Sequence, residues 1–264
     1  MCRMFAVLGH QPLDLAPYLV TDGHSLGELS RCDRRGQSHP DGWGIGVYEQ
    51  DKPLVARGAR AAHEDPQFAV TARRARSRMV MAHVRQKSVG PVDIRNNHPF
   101  AHSAWMFAHN GTLTGFASVE KRLLADIDPD LRGLRVGSTD SELVFLWLLA
   151  QLRRAGQALN HEARDPRRVA AILRDSTRKL HAWCEPDDEG TARLNFFLTD
   201  GSRLFATRMG RSLHWLQVGE VSKQNSPAAI LVASEPLTDE AWREIDDASM
   251  LTVESDLATR FEPL

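Results

Sequence analysis

Apolar side chains in the first third of the chain gather in short runs rather than in long helical stripes. The opening run, "CRMFAVLG", is apolar on both faces, as a short buried strand is, although periodicity alone leaves a helix open. "SLGELSRC" follows, with Ser25 three residues ahead of Glu28, and this capping-box spacing predicts a short helix. From Gly42 onward, "GWGIGVYEQ", "KPLVARGAR", "RMVMAHVR" and "AWMFAHNG" read as strands separated by turns or a short helical stretch. The first half is therefore expected to form a sheet with few crossovers.

Two long helices come next. Thr139 and Glu142 repeat the capping-box pattern ahead of "LVFLWLLAQLRR", with basic residues in the last turn and Gly156 just beyond. Asp165 as N-cap and Pro166 at the first helical position open "RRVAAILRDSTRKLHAW". The two are expected to pack as an antiparallel pair. The last third returns to strands: "LNFFLT", Asp200-Gly201 and "RLFATR" predict a hairpin with a type I′ turn, and "SLHWLQV", "AAILVAS" and "MLTVES" supply more. Strands, two helices, then strands predict an α+β layered domain. With no repeat, low-complexity segment or convincing linker, one domain over residues 2–264 is the economical arrangement.

Composition narrows the function. The 264 residues are 42% hydrophobic and 25% charged, with a net charge of -1 and an isoelectric point near 6.8. That near-neutral balance speaks against a nucleic-acid partner, and the short cluster Arg73, Arg74, Arg76 and Arg78 reads as a solvated helix face. Cys2, Cys32 and Cys184 are an odd number without metal-ligand spacing, which fits a reducing, cytoplasmic setting. No apolar run reaches membrane-spanning length, and Arg3 interrupts any signal-peptide pattern, so no membrane association is expected.

Three places could carry chemistry. A methionine followed by a small residue is normally trimmed, which would leave Cys2 with a thiol and a free α-amine. The thiol, with an ordinary pKa near ~8.5, needs a base, and an α-amine of about 7.7–8.0 is suited to be one. In "AHNGTL", the Asn110 side-chain amide and the Gly111 backbone N–H can converge on one oxyanion. Arg85 in "AHVRQKSVG" and Asp140 in "GSTDSE" match the carboxylate and ammonium of an α-amino acid. Each also has a plain structural reading: Cys2 as a strand's first small hydrophobe, Asn110-Gly111 as a turn, Arg85 as a strand-end surface charge, and Asp140 as a helix-start acid.

Taken in chain order, these positions resemble the class II glutamine amidotransferases of the N-terminal-nucleophile hydrolase superfamily. The signatures are Met-Cys at the start, "HPDGWGIGVY", "VRQKSVG", "NNHPF", "HNGTL" and "TDSE", with "LTDG" and "ILVASEPL" like the family's later strands. The resemblance implies a four-layer αββα sandwich, two mainly antiparallel sheets between helix layers. It implies Cys2 as nucleophile with its own amine as base, and Asn110 and Gly111 as the oxyanion hole. Arg85 would hold the α-carboxylate and Asp140 the α-ammonium of a γ-glutamyl group, Ser88 would line the same loop, and His98 and His109 would shape it. Gln86 departs from the family, whose better-known members carry an aromatic residue after the Arg.

The reaction implied is hydrolysis of a small-molecule γ-glutamyl amide through a cysteine thioester, without cofactor or metal. The chain resembles the short stand-alone members and shows no synthase domain to consume ammonia, so a hydrolase is favoured. Alternatives are an ammonia-donating subunit for a synthase partner and a catalytically silent γ-glutamyl binder; a homo-oligomer stays open. A metal-dependent hydrolase built on His83, His98, His102 and His109 is disfavoured, because Pro99 breaks the helix that would align His98 with His102 and no HExxH is present.

Overall fold

A computed structural model of the chain describes residues 2–160, 164–186, 190, 192–221 and 226–264. Its strands are β1 (Arg3–Gly9), β2 (Trp43–Glu49), β3 (Lys52–Gly58), β4 (Met79–Val84), β5 (Phe100–His102), β6 (Trp105–Thr112), β7 (Arg193–Thr199), β8 (Leu204–Arg208), β9 (His214–Val221), β10 (Ser226–Ala233), β11 (Arg243–Glu244), β12 (Ser249–Val253) and β13 (Thr259–Pro263). The helices are α1 (Leu26–Arg31), α2 (Pro66–Arg74), α3 (Phe116–Ala125), α4 (Pro129–Arg132), α5 (Asp140–Arg154) and α6 (Pro166–Trp183).

Among the described residues the strands form two antiparallel sheets, ordered β11-β9-β10-β1-β4-β2-β3 and β13-β12-β8-β7-β6-β5. The first half of the chain is thus not one sheet, as its run of strands suggested. β6 crosses to the second sheet, and β9 and β10 return from the last third to flank β1 on its other side. The opening strand lies at the centre of its sheet because β10 and β4 both pair with it, Phe5 facing Ala233 on one side and Ala82 on the other.

Strand alternation explains the layering. Successive side chains on a strand point to opposite faces. Phe5 and Val7 pack with Leu26 and Leu29 of α1 and Phe68 and Ala72 of α2. Met4, Ala6 and Leu8 point the other way, into a core shared with Met106 and Ala108 of β6, Phe197 of β7 and Ala206 of β8. On the far face of the second sheet, Trp105, Phe107 and Phe196 pack with Leu143, Trp147 and Leu173 of α5 and α6. The order helix, sheet, sheet, helix is the expected αββα sandwich.

Local signals hold unevenly. Thr139 accepts from the Glu142 N–H at 3.2 Å and Asp165 from the N–H groups of Arg167 and Arg168, so α5 and α6 start where their caps predict. Glu142 does not complete the box: its carboxylate accepts from Val136 N and Gly137 N instead. Ser25 precedes α1 but makes no cap bond; its hydroxyl is buried. The β7–β8 connection is not a two-residue type I′ turn, since Thr199 pairs with Leu204 and four residues intervene. There the Asp200 carboxylate accepts from the N–H groups of Ser202 and Arg203, and this side-chain bonding winds a longer loop. Of the basic cluster, Arg73 and Arg74 end α2, whereas Arg78 lies beyond it and donates to Gly9 O at 2.9 Å.

β2 runs close beneath the loop that enters β5. A Cβ on Gly44 would strike the His98 carbonyl oxygen, which is backbone and cannot yield as a flexible side chain does. Gly44→Ala is therefore expected to lose about 1–3 kcal/mol of unfolding free energy. Gly23→Ala, with nothing near its Cβ, is the control. Denaturant unfolding of the two variants checks this; equal midpoints would show that the close approach is not felt.

Candidate active site

Cys2 stands immediately before the central strand, half-buried, with the same facing as Met4. Its Sγ lies 3.4 Å from the Gln86 N–H that donates to it and 3.3 Å from the Gln86 carbonyl oxygen that accepts from the thiol. Burial pushes the Cys2 thiol up; the Gln86 hydrogen bond and the Arg85 charge oppose this without overcoming it. A thiol in this state needs a proton acceptor before it can attack. Met1 lies outside the described residues, and with it the question of trimming.

Arg3 fixes the position of Cys2. Its Nη1 donates to the Cys2 carbonyl at 2.9 Å, while Nη2 meets Asp33 Oδ2 and, at 2.6 Å, Glu235 Oε1. Asp33 also contacts the buried His39 ring at 3.1 Å and accepts from the N–H groups of Arg35 and Gln37. Its carboxyl stays below the ordinary range although burial alone would raise it, because those N–H groups, Arg3 and His39 favour the charged form. His39 and Glu235 lie inside the quoted motifs "HPDGWGIGVY" and "ILVASEPL" but were given no role there, and nothing in the motif reading pointed to Asp33. The one available signal was a charged residue inside an apolar strand, which must find partners when buried.

Arg85 is 3% exposed, so the reading of it as a surface charge does not hold. Its guanidinium donates to the carbonyls of Val89 and Pro91, both at 3.0 Å, and curls the following loop around itself. Asn96 donates to the same Pro91 carbonyl and accepts from Ser138 N, tying the loop to the segment that enters α5. Asp41 and Gly42 of "HPDG" brace the other side, through Arg85 N to Gly42 O at 2.8 Å and Lys87 N to Asp41 Oδ2 at 2.8 Å. Burial pulls the Arg85 pKa down, while Cys2, Asp41 and Asp140 act in the opposite sense.

Asn110 and Gly111 are not in a turn. They lie within β6, opposite Asn195 and Leu194 of β7, and a Cβ on Gly111 would overlap the Arg193 carbonyl. Asn110 has the same facing as Met106 and Ala108, toward the sheet that carries Cys2. It lines a cavity of about 270 Å³ together with Arg3 and Gln86, the neighbours of Cys2 in sequence and in contact. Arg85 and Asp140 do not line that cavity. Asp140, 2% exposed, accepts from Leu113 N at 3.0 Å and Ser141 N at 2.8 Å, which sets its carboxylate beside the end of β6. Ser88, exposed, receives a hydrogen bond from Thr112 Oγ1 at 3.3 Å, so the Arg85 loop and the end of β6 meet.

The two histidines sit behind these groups. The His109 ring bridges Ser141 Oγ at 3.0 Å and the Arg193 carbonyl at 2.9 Å, joining β6 to the start of α5. His98 is buried against His83, with ring centroids 4.3 Å apart, and its ring nitrogens have no hydrogen-bond partner among the described residues. His102 stands apart on β5, and among the described residues no three His, Cys, Asp or Glu side chains converge to hold a metal ion.

A short opening strand at the centre of one sheet, a cysteine at its head and an Asn-Gly pair on the facing sheet form the arrangement expected of a class II amidotransferase domain. Comparison with known proteins agrees: the family described as "Glutamine amidotransferases class-II" matches residues 1–218. The chain belongs to the class II glutamine amidotransferases, enzymes of amidohydrolase type. It is 30% identical over 293 residues to the Saccharomyces cerevisiae protein named "Probable glutamine amidotransferase DUG3", covering 96% of this chain and 82% of that one. It is 29% identical over 261 residues to gamma-glutamyl-hercynylcysteine sulfoxide hydrolase of Mycolicibacterium smegmatis, covering 96% of each. Among solved structures, a glutamine aminotransferase class-II domain protein from Silicibacter pomeroyi superimposes with a TM-score of 0.67 at 22% identity, over 100% of this chain and 99% of that one. Glutamine phosphoribosylpyrophosphate amidotransferase from B. subtilis gives 0.67 at 18% identity, over 99% of this chain and 49% of that one.

The buried imidazoles give the site a pH signature. Burial lowers His39 to about 4, His83 to about 3 and His98 well below its ordinary value. Between about 6.5 and 4 the unfolded chain takes up protons that the folded chain refuses, so unfolding free energy must fall as pH is lowered through that window. The depressed Asp33 acts at lower pH, where its carboxylate is protonated. Denaturant titrations from pH 7 to pH 4 should show the decline; a flat profile would mean that these rings are not buried neutral.

Proposed function

We propose that the protein hydrolyses a γ-glutamyl amide through a thioester on Cys2, after Met1 has been removed. The observation that carries this reading is the contact of Cys2 with Gln86, which follows the buried Arg85 and lines a cavity together with Asn110. The freed α-amine accepts the Cys2 thiol proton, the thiolate attacks the γ-carbonyl carbon, and the Asn110 side-chain amide and Gly111 N–H hold the oxyanion. The amine then returns the proton to the departing nitrogen. Water, activated by the same amine, hydrolyses the thioester to glutamate and regenerates the thiol.

Arg85 receives the α-carboxylate of the glutamyl group and Asp140 its α-ammonium, with Ser88 at the rim. Two of the five Arg85 N–H donors are used on its own loop, which leaves donors for a ligand. His109 keeps Ser141, and so its neighbour Asp140, against β6. The name of the Mycolicibacterium smegmatis relative, a γ-glutamyl hydrolase, supports this substrate class for a chain of matching extent. The whole site is read as part of one domain over residues 2–264. Location in a reducing cytoplasm is supported by three cysteines that are all unbonded, one of them exposed; among the described residues no helix is long and apolar enough to cross a membrane.

The reading fixes the outcome of three preparations assayed for glutamate release from glutamine and γ-glutamyl amides. Protein whose intact mass shows Met1 removed should turn over; Cys2→Ala should not. Asn110→Ala should retain binding and lose about 10²–10³ in kcat, the usual effect of deleting one oxyanion donor. Turnover by Cys2→Ala would falsify the assignment of the nucleophile.

A further inference from the structure

We infer that the cavity beside Cys2 is an anion-recognising subsite for the amine released from the γ-glutamyl group, so that the substrates preferred are γ-glutamyl amides whose leaving amine carries a carboxylate. The inference rests on the hydrolase reading above, which gives the glutamyl end to Arg85 and Asp140. Neither of those residues lines the cavity of about 270 Å³. Gln86 lines it instead, together with Arg3, Arg35, Gln37, Asn110, Arg211 and Ser212. Among the described residues that line it there is no carboxylate, and there are three guanidinium groups.

Those three are not equivalent. Arg3 is committed to Asp33 and Glu235, so its charge is already balanced. Arg35 is exposed, and among the described residues its one hydrogen bond is from its backbone N–H to Asp33 Oδ1 at 2.8 Å. Its loop is built rather than loose: Asp33 Oδ1 also accepts from Gln37 N at 2.9 Å, Asp33 N donates to Gln37 O, and Gly36 takes a φ of 74° to close the turn. Asp33 therefore holds the nucleophile strand with one carboxylate oxygen and shapes the Arg35 loop with the other. The opposite wall is anchored too. Asn195, which faces Asn110 across the β6–β7 pair, donates to the carbonyls of Arg211 and Ser212 at 3.0 and 3.1 Å. The residue opposite the oxyanion donor thus sets the position of the second wall of the cavity.

A carboxylate on the leaving amine would meet Arg35 while the scissile carbonyl meets Asn110. Charge-assisted hydrogen bonds of this kind, weakened by solvent at an exposed arginine, correspond to about a ten-fold preference. The probes are γ-glutamylglycine and γ-glutamylglycinamide, alike in size and different in the one charge. Calorimetric titration of the Cys2→Ala protein, which leaves the amide intact, should give about ten-fold tighter binding of γ-glutamylglycine. Adding Arg35→Glu should bring the ratio to about one or invert it, and Arg35→Gln should fall between.

Equal affinities for the two amides, or a ratio that Arg35→Glu leaves untouched, would overturn the subsite. Weakening of both amides by the same factor would do so as well, because it would place the glutamyl end in this cavity. Turnover by the unmutated protein separates the two claims. Cleavage of both amides with equal kcat/KM keeps the hydrolase and removes the subsite. Cleavage of neither, with the binding preference intact, keeps the subsite and removes the hydrolase.

Discussion

Arg3 pins the start of the chain. A terminus ordinarily frays, yet here the guanidinium of the second described residue is buried between Asp33 and Glu235 and donates back to the Cys2 carbonyl. The two carboxylates come from the segment after α1 and from the segment after β10, so one side chain joins three parts of the chain. Losing one member of a buried ion group typically costs about 3–5 kcal/mol, because the remaining charge stays desolvated. In this protein the same loss would free Cys2, the proposed nucleophile.

Once β1 is fixed, strand alternation does the rest. Cys2 shares its facing with Met4, Ala6 and Leu8, and Asn110 shares its facing with Met106 and Ala108, so the two point into the space between the sheets. That space is apolar along its middle and polar at one end, where Arg85, His83 and Asn110 gather near the head of β1. A shift of one residue in either strand would turn Cys2 or Asn110 away from the other. The double pairing of β1, with β10 and β4, guards against it.

Much of this was legible in the sequence, and the limits have physical causes. Strands and the two long helices showed through their periodicity and caps, and the candidate site residues stood out as types that suit an amide and an amino acid. Parity along "AWMFAHNG" fixes which residues share a face but not which sheet the strand joins, so the crossover of β6 to the second sheet stayed hidden. Asn-Gly normally signals a turn; here it continues a strand, because Gly111 leaves room for the Arg193 carbonyl of β7. The Asp200-Gly201 turn was lengthened by the Asp200 carboxylate bonding its own loop. Asp33, Glu235 and Asn195 could not be read in advance. Their partners are distant in sequence, and only the folded chain brings them to Arg3 and to the wall of the cavity.

The thiol is held protonated by its burial, and no neighbouring histidine contacts its sulfur among the hydrogen bonds described. His109 is spent on Ser141 and the Arg193 carbonyl, and His98 lies against His83. In the proposed mechanism the α-amine of Cys2 is the base, and removal of Met1 exposes it. The most direct measurement is covalent labelling with a glutamine analogue that carries a diazoketone in place of the γ-amide, read by peptide mass. One adduct on Cys2 of the trimmed chain, absent from protein that retains Met1, is the predicted result. Labelling of Cys32 or Cys184 instead, or equal labelling with Met1 in place, would contradict it.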